Sequence, residues 1–403
     1  MAKTTTLPNG WKNVKLGDIA IPITEKAGEQ ILETLSISAG IGFVNQAKKF
    51  GKELSGKQYV NYSVLRRGDF SFNKGNSRKY PYGCTYMLRD RNVAAVPNAF
   101  YSFKIDEQYS DYYEQLFILG YLNRQLKRLI NTGVRDDGLF NLYEKDFYNC
   151  TILLPPLAEQ RAIAEILFTA DKLIAVKERL IAAKQKQKRW LMQNLLTGKM
   201  RLPGFSDEWE KVMLGEVCDV RDGTHDSPKY QECGIPFITS KNLSNGKIDF
   251  SNVSFISEAD HKEFIRRSKV EKGDMLFGMI GTIGNVAIVT SESEFSIKNV
   301  ALIKSNDVMN RHYCFYLLQS DVTMKKFDEN KSSGVQQFIA LTSIRNLSFQ
   351  VPPLPEQTAI ANILTTADRE IELLTKELEQ QKLIKKHLMQ QLLTGKTRVK
   401  VDD

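Results

Sequence analysis

Basic, amide and aromatic side chains group in two parts of this sequence, within segments rich in glycine, asparagine and proline. The earlier group consists of Lys74, Arg78, Lys79, Tyr80 and Arg135. The later group consists of Thr224, His225, Lys229, Tyr230, Lys241, Asn242, Lys298, Gln336 and Gln337. Lysine and arginine neutralise phosphates, and arginine, asparagine and glutamine can make bidentate hydrogen bonds to purine edges. Any one such residue is more often an ordinary surface residue, but the grouping in both halves favours recognition of a nucleic acid.

Signatures of catalysis and of metal binding are missing from the sequence. There is no G-x-x-x-x-G-K-[ST] phosphate loop and no G-x-S-x-G nucleophile elbow. The histidines make no metal-ligand spacing: they are His225, His261, His312 and His387. The segment Glu329-Asn330-Lys331 matches the E-x-K triplet of some metal-dependent nucleases, but chance produces such triplets in most chains of this size. We therefore expect no catalytic residue and no metal site in this chain.

The composition favours an intracellular protein with an anionic partner. The chain has 403 residues, a formal net charge of +9 and a pI near 9.1, which is weak evidence for a polyanionic ligand. No run approaches 18 apolar residues, and the N-terminus lacks an apolar signal core, so we expect a cytoplasmic location and no membrane contact. Five scattered cysteines without a C-x-x-C pair indicate free thiols in a reducing compartment.

Two long segments that repeat each other must position the recognition residues. Residues 154–199 and 351–396 align without a gap at an offset of 197, and about half of the aligned positions are identical. Each copy begins with a Pro-Pro pair, carries a glutamate (Glu159 or Glu356) where the first helical turn should lie, and ends in Gly-Lys. These signals predict two helices of roughly 37 residues, about 55 Å each. Helices so long and so polar need a partner helix.

The apolar period indicates that the two helices pair with each other. Apolar residues recur every seven positions, with one lysine in each row: Leu167, Ile174, Ile181, Lys188 and Leu195, and then Leu364, Ile371, Leu378, Lys385 and Leu392. Antiparallel pairing about a pseudo-two-fold axis places Leu167 opposite Leu392. It also sets basic residues against acidic ones: Lys184, Lys186, Lys188 and Arg189 against Glu370, Glu372, Glu377 and Glu379. The alternative is two separate amphipathic helices, each packed on its own domain.

The remaining residues predict two related globular domains. We place domain boundaries at 1–151, 152–201, 202–350 and 351–403, the second and fourth segments being the helices. Each globular segment has short apolar runs typical of strands, then one helix, over 112–130 and 312–327, and then a last strand. The predicted fold class is therefore α+β, with two pseudo-two-fold-related globular domains separated by two long helices that pair as an antiparallel coiled coil. By the same repeat, Arg398 should end close to Leu7.

Together these motifs resemble the specificity subunit of a type I restriction-modification system, over nearly the whole chain. The resemblance rests on the Pro-Pro-Leu-x-Glu-Gln starts, the Thr-Ala-Asp segments at Thr169 and Thr366, and the Leu-Leu-Thr-Gly-Lys ends. In the second half, Asp222-Gly223-Thr224-His225 and Gly334-Val335-Gln336-Gln337-Phe338 resemble segments of a target-recognition domain. The first half lacks the corresponding glutamine pair.

The resemblance implies a DNA-binding subunit that catalyses nothing. Each globular domain would read one half of a bipartite site in double-stranded DNA, and the helical spacer would dock two methyltransferase subunits and join motor-nuclease (restriction) subunits. S-adenosylmethionine, ATP and Mg²⁺ would then serve those partner subunits, and this chain would hold no cofactor. Two alternatives stay open: a coiled-coil scaffold that binds only proteins, and a stand-alone nuclease or methyltransferase.

Overall fold

The computed structural model of the chain describes residues 7–75, 80–105, 107–130, 141–329 and 338–401. The chain divides into two compact units: Met1–Glu178 together with Glu377–Asp403, and Arg179–Lys376. The division passes through both long helices, so each unit holds one globular α+β region and a piece of each helix.

The described residues of the first unit form ten strands and four complete α-helices. The strands are β1 (Lys12–Lys15), β2 (Ile21–Pro22), β3 (Leu35–Ser38), β4 (Gly42–Asn45), β5 (Ser63–Arg66), β6 (Phe70–Asn73), β7 (Cys84–Met87), β8 (Val93–Val96), β9 (Tyr101–Lys104) and β10 (Thr151–Leu154). The helices are α1 (Gln46–Phe50), α2 (Glu107–Ile118), α3 (Asn123–Leu129) and α4 (Glu144–Tyr148), and the long helix α5 (Leu157–Leu195) begins here.

An antiparallel sheet in the order β2-β9-β6-β7 is the centre of the first unit. Its buried face supplies Phe70, Phe72 and Phe103, and the rings of Phe72 and Phe147 stack with their centroids 4.6 Å apart. Residues of both long helices complete the same core, which includes Leu167 and Leu392. The recognition region of this unit is thereby fixed to its own piece of the helix pair, since burial of these side chains is the main driving force for folding.

The second unit repeats this plan with different detail. Its strands are β11 (Glu210–Met213), β12 (Cys218–Asp222), β13 (Ile235–Ile238), β14 (Leu243–Ser244), β15 (Lys247–Ile248), β16 (Ser254–Ile256), β17 (Met275–Gly278), β18 (Val286–Ile288), β19 (Ser296–Ile297), β20 (Val300–Ser305) and β21 (Ser348–Val351). Its helices are α6 (Leu214–Val217), α7 (Glu258–Ser268), α8 (Arg311–Gln319), α9 (Asp321–Glu329) and α10 (Leu341–Arg345), and the long helix α11 (Leu354–Leu392) begins here.

The second unit's main sheet has the order β12-β20-β17-β18, which is the counterpart of the first unit's four-stranded sheet. A second, three-stranded sheet, β16-β13-β19, has one antiparallel and one parallel pair. Leu195 and Leu364, one from each long helix, are fully buried in the core beneath the four-stranded sheet. The α+β class and the twofold repetition of one plan are thus as predicted.

The two long helices begin and end where the repeated signals predict. Glu159 and Glu356 lie in their first turns, and Gly198 and Gly395 follow their last turns with left-handed φ values of 69° and 70°. The neighbouring glutamines, Gln160 and Gln357, are buried. Their amides are satisfied by local hydrogen bonds, since Gln160 donates to the carbonyl of Pro155 at 2.8 Å and Gln357 donates to that of Pro352 at 2.9 Å. Each Pro-Pro-Leu-x-Glu-Gln motif is therefore a folded joint between the last strand and the helix.

The pieces of the long helices run antiparallel within each unit. In the first unit, Lys385 pairs with Asp171 at 2.5 Å and Glu377 pairs with Lys177 at 2.5 Å. Residue numbers therefore rise along one helix in the direction in which they fall along the other. The second unit repeats this register, because Lys188 contacts Asp368 at 2.6 Å and Lys184 contacts Glu370 at 2.7 Å. The antiparallel pairing is therefore confirmed within each unit, with a lysine-aspartate layer in both.

Some partners of the predicted charge ladder differ from the prediction. Lys184 pairs with Glu370 as expected, but Lys188 takes Asp368 because the Thr-Ala-Asp segments also face the opposite helix. Glu372 instead contacts Lys247 of the globular region, at 3.1 Å. A long charged side chain can reach several oppositely charged neighbours, so heptad position alone does not determine its partner.

The prediction of a single helix after the sheet is wrong in both halves. In the first unit, α2 and α3 are separated by a turn at Gly120, whose φ is +75°. A left-handed residue interrupts the helical hydrogen bonds, and glycine adopts this conformation at little cost. In the second unit, Ser320 separates α8 from α9 and donates its hydroxyl to the carbonyl of Leu317 at 2.6 Å. The apolar period continues across both breaks, which is why the sequence predicts one helix.

The C-terminal segment returns to the start of the chain, as the repeat predicts. The guanidinium of Arg398 pairs with Glu159, and the indole of Trp11 donates to the same carboxylate at 3.1 Å. A Cβ built on Gly395 would lie 2.6 Å from the Cγ of Pro8. The segment that follows the second long helix therefore closes against the segment that opens the first unit.

Among the described residues, no helix is both long enough and apolar enough to cross a membrane.

Candidate nucleic-acid interface

In the second unit, four loops meet at one end of the four-stranded sheet, and we call them the loop cluster: residues 223–230, 239–242, 279–284 and 298–299. The first and last are joined by backbone hydrogen bonds, because Thr224 N–H donates to Ile297 O at 3.1 Å and Asn299 N–H donates to Thr224 O at 3.2 Å. Gly223 is required in this turn, since a Cβ there would lie 2.4 Å from Ile297 O.

The other two loops join through side-chain hydroxyls. Ser240 donates to the carbonyl of Asn299 at 3.2 Å, and Thr282 donates to the carbonyl of Ser240 at 2.6 Å. Ile339, which lies outside these four loops, also contacts the cluster, because its N–H donates to Met279 O at 3.0 Å. Segments from four parts of the sequence therefore form one continuous surface, in which each loop is held by hydrogen bonds from the next.

Most of the predicted contact residues of the second unit lie on these loops and are accessible to solvent. Lys229, Lys241 and Tyr230 are exposed, and the side chain of His225 is half exposed. Lys298 is partly buried, and its ammonium group donates to the hydroxyl of Ser227 at 2.5 Å. A surface that combines lysines, a histidine and a tyrosine can neutralise phosphates and stack on bases.

Two of the predicted residues are used inside the protein instead. Asn242 is buried, and its amide donates to the carbonyls of Asp249 and Asn252 at 3.3 and 3.1 Å. Thr224 is also buried, with its hydroxyl 3.1 Å from a carboxylate oxygen of Asp226. The structure thus gives both residues a loop-building role, because their polar atoms are occupied by neighbours and turned away from solvent.

A nearly buried carboxylate lies directly beside the cluster: that of Asp222, the last residue of β12 and a residue outside the predicted set. This carboxylate is 9% exposed, contacts the guanidinium of Arg267 through Oδ1 and lies 3.1 Å from Nε2 of His225 through Oδ2. The other ring nitrogen of His225 lies 2.7 Å from Oδ1 of Asn299, which has a left-handed φ of 54°. Sequence reasoning named His225 but did not predict this grouping, because the paired residues are 45 and 74 positions apart and only the folded chain brings them together.

In the first unit, Lys74 and Tyr80 lie at the corresponding end of the sheet. Lys74 lies over the ring of Tyr101, 4.6 Å from its centroid. Tyr80 approaches Gly40 in the turn between β3 and β4, whose N–H donates to the phenol oxygen of Tyr86 at 2.8 Å. Burial raises the pKa of Tyr86 to about 12, so this phenol stays neutral at physiological pH and can accept that bond.

Five predicted residues lie outside the described residues: Arg78, Lys79, Arg135, Gln336 and Gln337. Their assignment to the interface stays a prediction.

The heptad residues assigned to the spacer and the partner interface lie mainly inside the molecule. Six are buried: Leu167, Ile181, Leu195, Leu364, Leu378 and Leu392. Ile174, Ile371, Lys188 and Lys385 are partly buried. The apolar side chains that the helices expose are different ones, including Leu173, Val176, Trp190, Leu373 and Leu383. A docking partner would meet these exposed residues, since the heptad rows are already covered.

Within the described chain, no three histidine, cysteine, aspartate or glutamate side chains come together in a way that could hold a metal ion.

Comparison with known proteins agrees with this architecture. The sequence model of the family described as "Type I restriction modification DNA specificity domain" matches twice, at residues 8–184 and 206–382. The type I restriction enzyme MjaVIII specificity subunit of Methanocaldococcus jannaschii is 29% identical over 311 residues, which is 73% of each chain. The putative MjaX specificity subunit of the same organism is 27% identical over 436 residues, covering 98% of this chain and 95% of that protein.

A solved structure has the same fold. It comes from work titled as the structural basis of complex assembly and conformational transition of the type I R-M system, and it aligns with a TM-score of 0.62 at 21% identity. The alignment covers 97% of this chain and 100% of the other. The two family matches each begin near the start of a globular region and end within a long helix, as the internal repeat requires. The resemblance stated from sequence is confirmed, and the chain belongs to the family of type I restriction-modification DNA specificity domains.

Proposed function

We propose that this chain is the sequence-specific DNA-binding subunit of a type I restriction-modification complex, and that each globular region reads one half of a bipartite site. The observation that carries the proposal is the double match to a DNA specificity family, one match for each repeat of the fold. The loop cluster supports it physically, since lysines, His225 and Tyr230 are presented on loops that the sheet holds rigidly. The two regions differ in their loops, which fits recognition of two different half-sites.

The long helices are proposed as the docking surface for methyltransferase subunits. The exposed Val176 of one helix and Leu373 of the other are equivalent under the 197-residue repeat, so the same apolar position is presented twice. A surface that occurs twice by internal repetition suits two copies of one partner. Restriction subunits would join this complex. S-adenosylmethionine, ATP and Mg²⁺ would be bound by those partners, and this chain would supply specificity without catalysis.

The direct test is binding of the full chain, assembled with the methyltransferase subunits of its own system, to DNA that carries the methylated sequence. Mapping of methylated adenines in cells that hold the complete system would identify that sequence. Affinity should then fall steeply with salt, because lysine and arginine contacts release counterions from the DNA. The affinity for a scrambled sequence should be at least about a thousandfold lower.

A matched pair of lysine variants makes this test specific to the loop cluster. Lys241→Ala removes one exposed charge from the cluster. It should reduce the slope of log affinity against log salt concentration by about one, the value for one phosphate contact. Lys211→Ala removes the same charge from β11, an exposed strand residue in a separate two-stranded sheet, and should leave binding unchanged. Equal effects of both variants would contradict the assignment of the cluster to DNA.

The two alternatives predict different outcomes. A scaffold that binds only proteins would assemble with the methyltransferase subunits and show no salt-sensitive DNA affinity. A stand-alone enzyme would cleave or methylate DNA as the purified chain supplied with S-adenosylmethionine and Mg²⁺. We expect neither outcome.

A further inference from the structure

The strongest unassigned feature of the second unit is the way Asp222 holds Arg267. Asp222 is the last residue of β12, and Arg267 lies in the last turn of α7. The carboxylate is nearly buried, whereas the side chain of Arg267 is 61% exposed. A buried anion fixes one end of the guanidinium, and the rest of that group faces solvent beside the loop cluster.

The surroundings of Asp222 restrain its ion pair with Arg267, which we call the clamp. Its second oxygen faces Nε2 of His225, and the opposite ring nitrogen of His225 faces Asn299. The backbone of α7 is also tied to the same strand, because Arg221 Nη1 lies 3.5 Å from the carbonyl of Arg267. Both oxygens of the carboxylate therefore have partners, and the guanidinium cannot turn without giving up the ion pair.

An arginine held this way still has N–H groups that can donate hydrogen bonds to a ligand. The guanidinium carries five N–H donors in a planar fork, and the contact with Asp222 is made through Nη2. Two parallel donors of such a fork match the O6 and N7 acceptors of guanine in the major groove, which is the commonest specific base contact of arginine. A phosphate contact, by comparison, needs charge and reach but no fixed plane. A guanidinium held at one end by a buried carboxylate suits a base better than a phosphate.

We propose that Arg267 is a specificity-determining residue that reads a guanine in the half-site of the second unit, and that Asp222 is its positioning residue. The inference rests on the proposed function, since it assigns one contact within the same DNA interface. His225 belongs to the same group and supports Asp222 from its other side.

The neighbouring Arg266 provides a matched control. It is the adjacent residue of the same helical turn, it carries the same charge and it is exposed. Its loss should weaken binding to every DNA by a similar factor, as loss of a general electrostatic contact does. Loss of Arg267 should act at one base pair.

The experiment measures binding of the assembled complex to its methylation-mapped site and to every single-base-pair variant of the second unit's half-site. For the wild type, replacement of the contacted G·C pair should reduce affinity by about 5- to 150-fold, the range for a bidentate contact. Arg267→Ala should abolish that discrimination at the one pair and keep it at the others. Arg267→Lys should also lose it, because lysine keeps the charge but lacks the fork.

Asp222→Asn tests the positioning role. It should lower the discrimination at the same base pair, and the discrimination elsewhere should not change. Melting of each variant is followed in parallel, and only variants that melt within a few degrees of the wild type are compared; Arg267→Lys and Arg267→Gln serve if Arg267→Ala does not fold.

The outcomes separate this inference from the function on which it rests. If the wild-type complex discriminates between DNA sequences but Arg267 variants lose affinity equally for all of them, Arg267 contacts phosphate and the inference is overturned. If Arg266→Ala and Arg267→Ala give the same base-specific loss, the clamp has no role and the inference also fails. If the wild-type complex does not discriminate at all, the proposed function itself is wrong.

Discussion

Arg398 and Glu159, 239 residues apart in the sequence, form an ion pair that joins the end of the described chain to the first turn of the first long helix. The indole of Trp11 donates to the same carboxylate. The second unit has the same arrangement, in which Arg201 and Trp209 both contact Glu356. One joint between strand, helix and returning segment is therefore built twice from equivalent residues.

The first prediction concerns this joint. Glu159 is 1% exposed, and Arg398→Ala should leave its carboxylate with the indole of Trp11 as the one remaining partner among the described side chains, at a cost of about 1–3 kcal/mol. Hydrogen exchange of residues 8–16 should accelerate, because this segment packs on the same carboxylate. Arg201→Ala should affect residues 202–213 instead. Faster exchange in both segments from either variant would argue against two independent joints.

The second prediction concerns the lysine-aspartate layer of the second unit. Asp368 accepts from Lys188 and from the phenol of Tyr316 at 2.8 Å, so Asp368→Ala removes the partner of a mostly buried ammonium group and of a phenol. We expect a loss of about 1–3 kcal/mol in unfolding free energy. Lys188→Leu should be neutral or stabilising, because a leucine in the heptad row buries apolar surface without a desolvated charge.

Chemical denaturation of the two variants beside the wild type measures both effects. A stabilised Asp368→Ala variant, or a strongly destabilised Lys188→Leu variant, would show that the layer does not act as described.

The third prediction concerns Gly223, at the first turn of the loop cluster. Its added Cβ in Gly223→Ala would meet the carbonyl of Ile297 at 2.4 Å, and neither backbone segment can move without breaking the hydrogen bonds that join the loops. We expect DNA affinity to fall at least tenfold, with a lower melting temperature. Gly204→Ala is the control, since Gly204 lies outside the loop cluster, nothing lies within 4 Å of a Cβ there, and a positive φ of 87° adds only local strain. Comparable losses in both variants would remove the steric argument.

The fourth prediction concerns cysteine reactivity. Burial raises the pKa of Cys84 and of Cys150 to about 11, so both thiols are protonated at pH 8 and should react slowly with iodoacetamide. Cys233 is exposed and should be alkylated first. Peptide mass spectrometry after brief labelling measures the order. Because the alkylation rate follows the thiolate fraction, labelling of Cys84 should rise about tenfold for each pH unit below pH 11.

Sequence by itself determined the long helices. Their limits follow from local signals, the prolines at the start and the left-handed Gly198 and Gly395 at the end, and their pairing follows from a heptad repeated twice. Such signals act within a few residues of the chain, so they can be read without a fold. The α+β class, the two related globular regions and the return of Arg398 to the first unit follow from the same repeat.

Tertiary structure decided which polar residues face outward. Lys241 and Asn242 are adjacent in sequence, and both are predicted to contact DNA. In the structure Lys241 is exposed, whereas Asn242 is buried in its own loop. The break between α2 and α3 at Gly120 could likewise not be predicted from the sequence, because the apolar period continues through it without change.

The contact between Asp222 and Arg267 shows the same division most clearly. In the sequence, each of these residues is one charge in a polar segment. They form an ion pair only because β12 and α7 pack against each other. Helix periodicity is a property of neighbours along the chain, whereas a clamp of this kind depends on distances across the fold. The scaffold could therefore be predicted from sequence, and the recognition surface required the structure.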